Sequence, residues 1–306
     1  MKKILVVGSL NMDFVLNVDK MPKKGETVFG KKMELVPGGK GANQAYTIGK
    51  LGGKVSMIGA IGKDVYGEKL IVNLNSVGVN TSGIAIIEDE PTGNAFITVD
   101  VYGENSIIAI PGANNSVTKE LIDQHMYLID ECDILVMQLE IPLEIVEYVA
   151  SIAKSKGKLV ILDPAPAPQN LPEKIMQHVD IMKPNETELQ TLTGLKIDKL
   201  EDVVEAAKLF VQKGVKVVLV TLGAKGTMMV TKEQSLLFEG EKVVAVDSTA
   251  AGDCFTAAFT IALTQGKTYE QAITFGNKVS AIAVTRKGAQ TSIPSASEVK
   301  NIIIKD

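Results

Sequence analysis

Tryptophan is absent from this 306-residue chain, and cysteine and histidine each occur only twice. Two cysteines, Cys132 and Cys254, are too few for a disulfide framework, so nothing asks for an oxidising compartment. His125 and His178 lie far apart in sequence, which disfavours a histidine-built zinc centre and a Ser-His-Asp engine. A basic surplus is also missing: Lys and Arg number 32 against 36 Asp and Glu, a formal charge of −4. That balance argues against general binding to a phosphate backbone. The uncharged run at 254–266 is too short to span a bilayer, and the apolar run at 4–7 is too short for a signal peptide. The expectation is a cytoplasmic protein with no nucleic-acid or membrane partner. Hydrophobic residues make up 45% and charged residues 22%, an ordinary soluble composition with length for one large domain or two modest ones.

Much of the chain repeats a short apolar run, a turn and an amphipathic segment. The runs at 4–7, 134–137, 159–162, 179–182 and 217–220 are continuous rather than alternating. Continuous runs fit parallel strands covered by helices on both faces. A helix is expected over 142–156, with Pro142 in its first turn, Ile145, Val149, Ile152 and Ala153 on one face, and Gly157 as its stop. A second is expected over 200–213, with Val203, Ala207, Phe210 and Val211 inward and Gly214 ending it. The fold class is therefore α/β, a doubly wound and mainly parallel sheet with helices on both faces. Two segments lack intervening helices. Residues 13–36 hold extended stretches, and 95–110 read as a hairpin turning at 102–105. They predict a small, mainly antiparallel lid from 13–36 and 92–110, set over an α/β domain of 1–12, 37–91 and 111–306.

Polar groups collect after the apolar runs: Asn11 and Asp13, Gln138 and Glu140, Asp163, Asn185 to Glu188, and Thr221 to Gly226. In an open parallel sheet, ligands bind beyond the carboxyl ends of the strands, so these loops predict one polar cleft. Pro37-Gly38-Gly39-Lys40-Gly41-Ala42-Asn43 combines glycines with a helix start, where Lys40 and Asn43 are placed to bond hydroxyls or an anion. It is not a Walker A loop, because Glu34 stands at the first glycine position and Gly41 follows Lys40. After an apolar strand at 243–246 comes Asp247-Ser248-Thr249-Ala250-Ala251-Gly252-Asp253. Small residues at a helix N-terminus leave main-chain N–H groups open as an anion hole for a transferring phosphoryl group. Asp253 in the first turn is either a helix-stabilising charge or a proton acceptor. Asn185 and Glu188, three apart, are either a helix cap or a water-mediated Mg²⁺ site. Thr221 to Gly226 has glycines at 223 and 226 where a nucleotide-facing loop leaves no room for a large side chain.

Taken together and in order, these segments resemble the PfkB-type carbohydrate kinase family. The segments that carry the likeness are Gly8-Ser9-Leu10-Asn11-Met12-Asp13, the glycine-rich segment at 37–45, Asp163-Pro164-Ala165-Pro166-Ala167, Lys183-Pro184-Asn185-Glu186-Thr187-Glu188, the segment at 247–253 and Thr285-Arg286-Lys287-Gly288-Ala289-Gln290. The resemblance implies transfer of the γ-phosphoryl group of MgATP to the 5-hydroxyl of D-ribose. It assigns Asn11, Asp13, Gly39, Lys40, Asn43 and Glu140 to the sugar, Asp253 to the general base, and Ala250, Ala251 and Gly252 to the anion hole. Asn185 and Glu188 would organise Mg²⁺. Asn185, Thr221, Gly223, Gly226, Gly252 and Asn277 would follow the nucleotide. Asp247, Thr249, Ala283, Arg286, Gly288 and Ser292 would surround K⁺. Paired lids would make a homodimer. Ser248, where threonine is usual, and Cys254, where Thr, Ser or Cys occurs, remove no proposed chemical group. Rival readings are a related kinase for deoxyribose, fructose or a nucleoside, and a non-catalytic sugar or nucleotide sensor. Aromatics at only 5% disfavour a nucleoside pocket. A dinucleotide-dependent oxidoreductase would need Gly-x-Gly-x-x-Gly where Gly8-Ser9-Leu10-Asn11 stands.

Overall fold

A computed structural model of the protein describes residues 2–303. The chain opens with β1 (Lys3–Val7), β2 (Asn11–Asn17), β3 (Lys32–Gly38), α1 (Lys40–Lys50), β4 (Lys54–Gly62), α2 (Val65–Ser76) and β5 (Asn80–Ile87). A hairpin of β6 (Gly93–Val99) and β7 (Asn105–Ile110) follows, then α3 (Lys119–Gln124), α4 (Met126–Glu131), β8 (Ile134–Met137), α5 (Leu143–Ser155), β9 (Leu159–Leu162) and α6 (Glu173–Gln177). Next come β10 (Ile181–Met182), α7 (Glu186–Thr193), α8 (Leu200–Gln212), β11 (Val217–Thr221), β12 (Thr227–Val230) and β13 (Ser235–Phe238). Three helices close the chain: α9 (Ala251–Thr264), α10 (Tyr269–Val284) and α11 (Ala296–Ile303).

Nine strands form the main sheet in the order β13-β12-β11-β10-β9-β8-β1-β4-β5, parallel except for the β11-β12-β13 edge. The apolar strands alternate between two cores. Leu5 and Val7 of β1 point to one cluster with α5 and α8, while Ile4 and Val6 point to the other with α1, α2, α9 and α10. Burial on both faces is why these strands read as unbroken apolar runs. Helices α5 and α8 bury Val149 and Ala153, and Val203, Ala207 and Phe210. The expected helix ends hold, with Gly157 and Gly214 at positive φ. Among the described residues, no helix is long and apolar enough to cross a membrane.

The remaining four strands form a second sheet in the order β3-β2-β6-β7. Its outer pairs are antiparallel, and its central pair, β2 with β6, is parallel. The extended stretches and the hairpin read from sequence thus meet in one sheet. Leu35, Phe14, Phe96 and Ile108 stand in register across it. Leu35, Phe96 and Ile108 of this row are exposed.

Three local expectations need correction. Residues 243–246 form no strand: Val243, Val244 and Val246 are exposed, and the only ordering bond is from the Val246 N–H to the Val284 carbonyl. β-Branched residues without a neighbouring ladder do not make a strand. Only Ile181 and Met182 of the 179–182 run pair as a strand. Pro142 caps α5 from outside, with ψ 131, rather than lying in its first turn.

Helix α9 is anchored by aromatic packing. Phe259 is 1% exposed and stacks between Phe255 and Tyr269, at ring separations of 6.1 and 6.4 Å. Phe259→Ala is expected to cost about 3–5 kcal/mol of unfolding free energy, read by urea denaturation. A loss below about 1 kcal/mol would mean that the stack does not anchor the helix.

Candidate active site

The carboxyl ends of β1 and β8 to β11 open on the N-termini of α1, α7 and α9. Between them lies a cleft of about 600 Å³. Lys40, Asp163, Lys183, Asn185, Glu188, Thr221, Gly223, Gly226, Ala250 to Asp253 and Asn277 line it. The loops after β9, β10 and β11 thus share one polar cleft with Lys40 and the start of α9, whereas Asn11, Asp13, Gln138 and Glu140, expected in the same cleft, do not line it.

Asp253 sits in the first turn of α9 and is 5% exposed. Its Oδ2 accepts from Asn43 Nδ2 at 3.0 Å, and its Oδ1 from Gln44 Nε2 at 2.9 Å. Burial raises its pKa, and Asp163 adds to the rise. Lys40 and the two amides oppose it, leaving a value of about 6. The carboxylate is thus ionised at neutral pH yet basic enough to accept a proton. Gln44 Nε2 also donates to Asp163 at 2.9 Å, and Gln138 Nε2 donates to Gln44 Oε1 at 2.6 Å. Gln138 thereby fixes which end of the Gln44 amide faces the carboxylates.

Ala250 precedes α9 with φ 59, the one non-glycine residue with positive φ among those described. A side chain in that region costs roughly 1–2 kcal/mol. The turn lets the Ala251 N–H donate to the Ser248 carbonyl at 3.2 Å. The Gly252 and Asp253 N–H groups, which lack helical acceptors by position, remain to face the cleft. The Ala251 N–H assigned to the anion hole is therefore shared with a turn. Lys183 strengthens the positive end of α9. A Cβ on Gly252 would lie 3.1 Å from its Nζ, and that ammonium pairs with Asp163 Oδ2 at 2.9 Å.

Glycines bring the other loops against this point. Gly39 caps α1 at φ 85, and a Cβ there would lie 2.7 Å from the Asn11 amide nitrogen. A Cβ on Gly38 would lie 2.1 Å from Asp13 Oδ2, so its absence makes room for that carboxylate. Asp13 is pushed up to about 7 by burial first, then by Glu140 and Asp253. The Glu140 carboxylate accepts from the Lys40 N–H at 2.9 Å and from the Ser9 hydroxyl. Asn11 Oδ1 accepts from Asn114 Nδ2 at 2.7 Å. Burial alone would lower the Lys40 ammonium, but Asp253, Asp163, Glu140 and Glu188 outweigh it and hold it above its ordinary value. Asn11, Asp13, Gly39, Lys40, Asn43 and Glu140 therefore come together around Asp253.

The nucleotide-side candidates divide. Asn185 and Glu188 form a capping box: Asn185 Oδ1 accepts from the Glu188 N–H at 2.7 Å, and Glu188 Oε2 from the Asn185 N–H at 2.8 Å. The capping alternative is thus realised, yet both residues still line the cleft. Burial, with Asp163 nearby, raises the Glu188 carboxyl against the pull of Lys183 and Lys40. No cluster of three or more acidic, histidine or cysteine ligands occurs among the described residues. The donor set fits a magnesium that arrives with phosphate oxygens and keeps its waters, not a dedicated cage. Gly226 meets the steric expectation, since a Cβ would lie 2.0 Å from the Phe238 carbonyl oxygen. Gly223 does not. Nothing lies within 4 Å of a Cβ there, and its φ of 56 is what favours glycine. Asn277 lines the cleft, but its Oδ1 accepts from Thr227 at 2.7 Å and its Nδ2 donates to the Phe238 carbonyl at 3.3 Å. It ties α10 to the β12-β13 edge.

Of the cation candidates, Asp247 bonds Thr249 and Gly288. Its Oδ1 accepts from the Thr249 N–H and hydroxyl, at 2.9 and 2.6 Å, and its Oδ2 from the Gly288 N–H at 2.9 Å. Burial would raise its carboxyl, but these donors outweigh that and lower it. The Ala283 carbonyl accepts from Arg286 at 3.0 Å, and Ser292 bonds Ala289 at 2.7 Å. The Arg286 guanidinium turns away to Glu298. Sequence reasoning placed Gln138 and Asp163 among the polar groups of the cleft without a partner, and gave no role to Gln44, Lys183 and Gln290. Gln44 adjoins Asn43, and Lys183 ends a buried strand, so position alone could have flagged these two.

Asp13 and Asp253 both have pKa values raised above the ordinary carboxylate, so their protonation favours the folded state. That contribution is complete below about pH 4 and is lost as pH rises through about 6 to 7. Asp13→Asn mimics the neutral form. It is expected to raise Tm of the ligand-free protein by a few degrees at about pH 8 and by much less at about pH 5, measured calorimetrically. Equal shifts at both would contradict these electrostatics.

Comparison with known proteins agrees with this geometry. Residues 1–296 match the pfkB family of carbohydrate kinases. Ribokinase of Haemophilus influenzae is 43% identical over 297 residues, spanning 97% of each chain. Deoxyribokinase of Salmonella typhi is 37% identical over 292 residues, spanning 95% of each. The solved structure of Arabidopsis thaliana ribokinase with ribose and ATP superposes with a TM-score of 0.94 at 34% identity, covering 100% of this chain and 99% of that one. With a buried carboxylate at a helix N-terminus and this likeness along the whole chain, the protein belongs to the pfkB family of carbohydrate kinases.

Proposed function

We propose that the protein is an ATP-dependent ribose kinase, transferring the γ-phosphoryl group to the 5-hydroxyl of D-ribose. The observation that carries the reading is Asp253, buried at the head of α9 between two amide donors and beside open main-chain N–H groups. The similarity to ribokinases of two distant organisms supports the substrate. Asn11, Asp13, Gly39, Lys40, Asn43 and Glu140 hold the sugar. Thr221, Gly223, Gly226, Asn185 and Asn277 border the nucleotide, the last as a wall rather than a donor.

As the ribose oxygen bonds to phosphorus and the bond to the ADP oxygen breaks, the hydroxyl proton passes to Asp253 Oδ. The Gly252 and Asp253 N–H groups, with the anion hole of 250–252, take up charge on the transferring group. Asn185 and Glu188 would hold Mg²⁺ through water, where it would neutralise phosphate charge. Asp247, Thr249, Ala283, Arg286, Gly288 and Ser292 would hold K⁺, several through main-chain carbonyls, where its charge would steady the turn before α9. The lid of 13–36 and 92–110 closes over the sugar and excludes water. Its exposed apolar surface pairs with a second copy as a homodimer, which sedimentation measures. The setting is cytoplasmic.

The deoxyribokinase likeness favours one second reading, 2-deoxyribose as acceptor. A coupled ADP-release assay across ribose, deoxyribose, fructose and adenosine separates them, and the same assay with a bulky organic cation replacing potassium reads the K⁺ role. Asp253→Asn is expected to keep ribose and ATP binding while losing about 10²–10⁴-fold in turnover. Near-normal turnover would reject Asp253 as the base.

A further inference from the structure

Asn43 and Asp253 are joined to a third buried amide. Gln290, 3% exposed, donates from Nε2 to Asn43 Oδ1 at 3.0 Å. Its own Oε1 accepts from Asn73 Nδ2 on α2. The chain of donors therefore runs in one direction, from Asn73 through Gln290 and Asn43 to the Asp253 carboxylate. A carboxamide is nearly symmetric in shape, so only its partners decide which end faces where. Were Asn43 turned over, its oxygen would meet the carboxylate and its nitrogen would meet the Gln290 nitrogen. Both contacts would be mismatched and buried. Gln290 is thus the group that keeps an N–H on Asp253.

We propose that Gln290 is a positioning residue for phosphoryl transfer, acting through Asn43 to hold the catalytic aspartate as an ionised, donor-paired base. It does not touch the reacting atoms. Its place matters because the 288–290 segment is also tied to Asp247 through the Gly288 N–H, so one short loop braces both the turn before α9 and the base within it. The inference rests on Asp253 being the base. The charged and titratable groups facing Asp253 are Lys40 on α1, Asp163 after β9, Asp13 on β2 and its neighbour Cys254. None of these is altered by a change at position 290.

The test compares the pH dependence of kcat/KM for ribose in the full-length parent, Gln290→Met and Gln290→Glu, with Asp253→Asn beside them. Gln290→Met removes the donor without adding charge. Gln290→Glu demands an N–H from Asn43 and so turns its oxygen toward Asp253. In both, the acid limb is expected to move upward, with kcat/KM down at least about 10-fold near pH 6 but less than about 3-fold near pH 8.5, and KM for ATP within about two-fold of the parent. The glutamate variant should show the larger shift. A pH profile parallel to the parent in either folded variant would overturn the proposal, whatever the loss of Tm or rate. An active Asp253→Asn enzyme would instead overturn the base assignment itself.

Discussion

A single buried negative charge sets the terms for this structure. As the proposed base, Asp253 must stay ionised to accept a proton, yet it lies in a space that penalises charge. The fold answers with three features. Two amides donate directly to its two oxygens, a lysine ammonium lies nearby, and the helix that carries it begins at the same point. Each oxygen-donor pair is itself pinned from behind, Gln44 by Gln138 and Asn43 by Gln290. The result is a carboxylate whose direct donors are themselves oriented by residues behind them.

That arrangement explains much of the surrounding architecture. The amides come from α1, whose entry is fixed by the close approach of Gly39 to Asn11. The strained Ala250 starts α9 so that its first N–H groups face the cleft. Phe255 and Phe259 bury α9 in the core it shares with Ile4 and Val6 of β1, and Phe259 stacks on Tyr269 of α10. Asp13 lies on β2, so the small sheet brings a second raised carboxylate beside Asp253 and Glu140. Anything that fills the space between Asp13, Glu140 and Asp253 with hydroxyl donors relieves repulsion among the three.

The parallel strands were legible because burial on both faces makes them unbroken apolar runs, as in 134–137 and 159–162. β4 was not legible. Its run Lys54–Gly62 is broken by Ser56, Gly59 and Gly62, and glycine is needed at 59 where the Gly8 carbonyl approaches. The β12-β13 hairpin turns through Lys232-Glu233, without the glycine or asparagine that usually marks a tight turn. Residues 243–246 misled because β-branched composition does not say whether a partner strand exists. In the site, Asp253, Lys40, Asn43 and Glu140 could be named from local motifs. The roles of Gln44 and Gln290 could not, because their bonds to Asp163, Asp253 and Asn43 join residues 119, 209 and 247 positions apart. For Asn185 and Glu188 the sequence left a helix cap and a Mg²⁺ site both open, and the structure realises the cap while both residues still line the cleft.

The central claim is that Asp253 is an elevated carboxylate, fixed by its amide donors and charged at neutral pH. A ¹³C NMR titration of labelled aspartate side chains in the ligand-free protein measures this directly, with the Asp253→Asn spectrum giving the assignment. The account requires a midpoint near about 6 for that carboxyl. A midpoint near about 4, the value of an ordinary exposed aspartate, would contradict it.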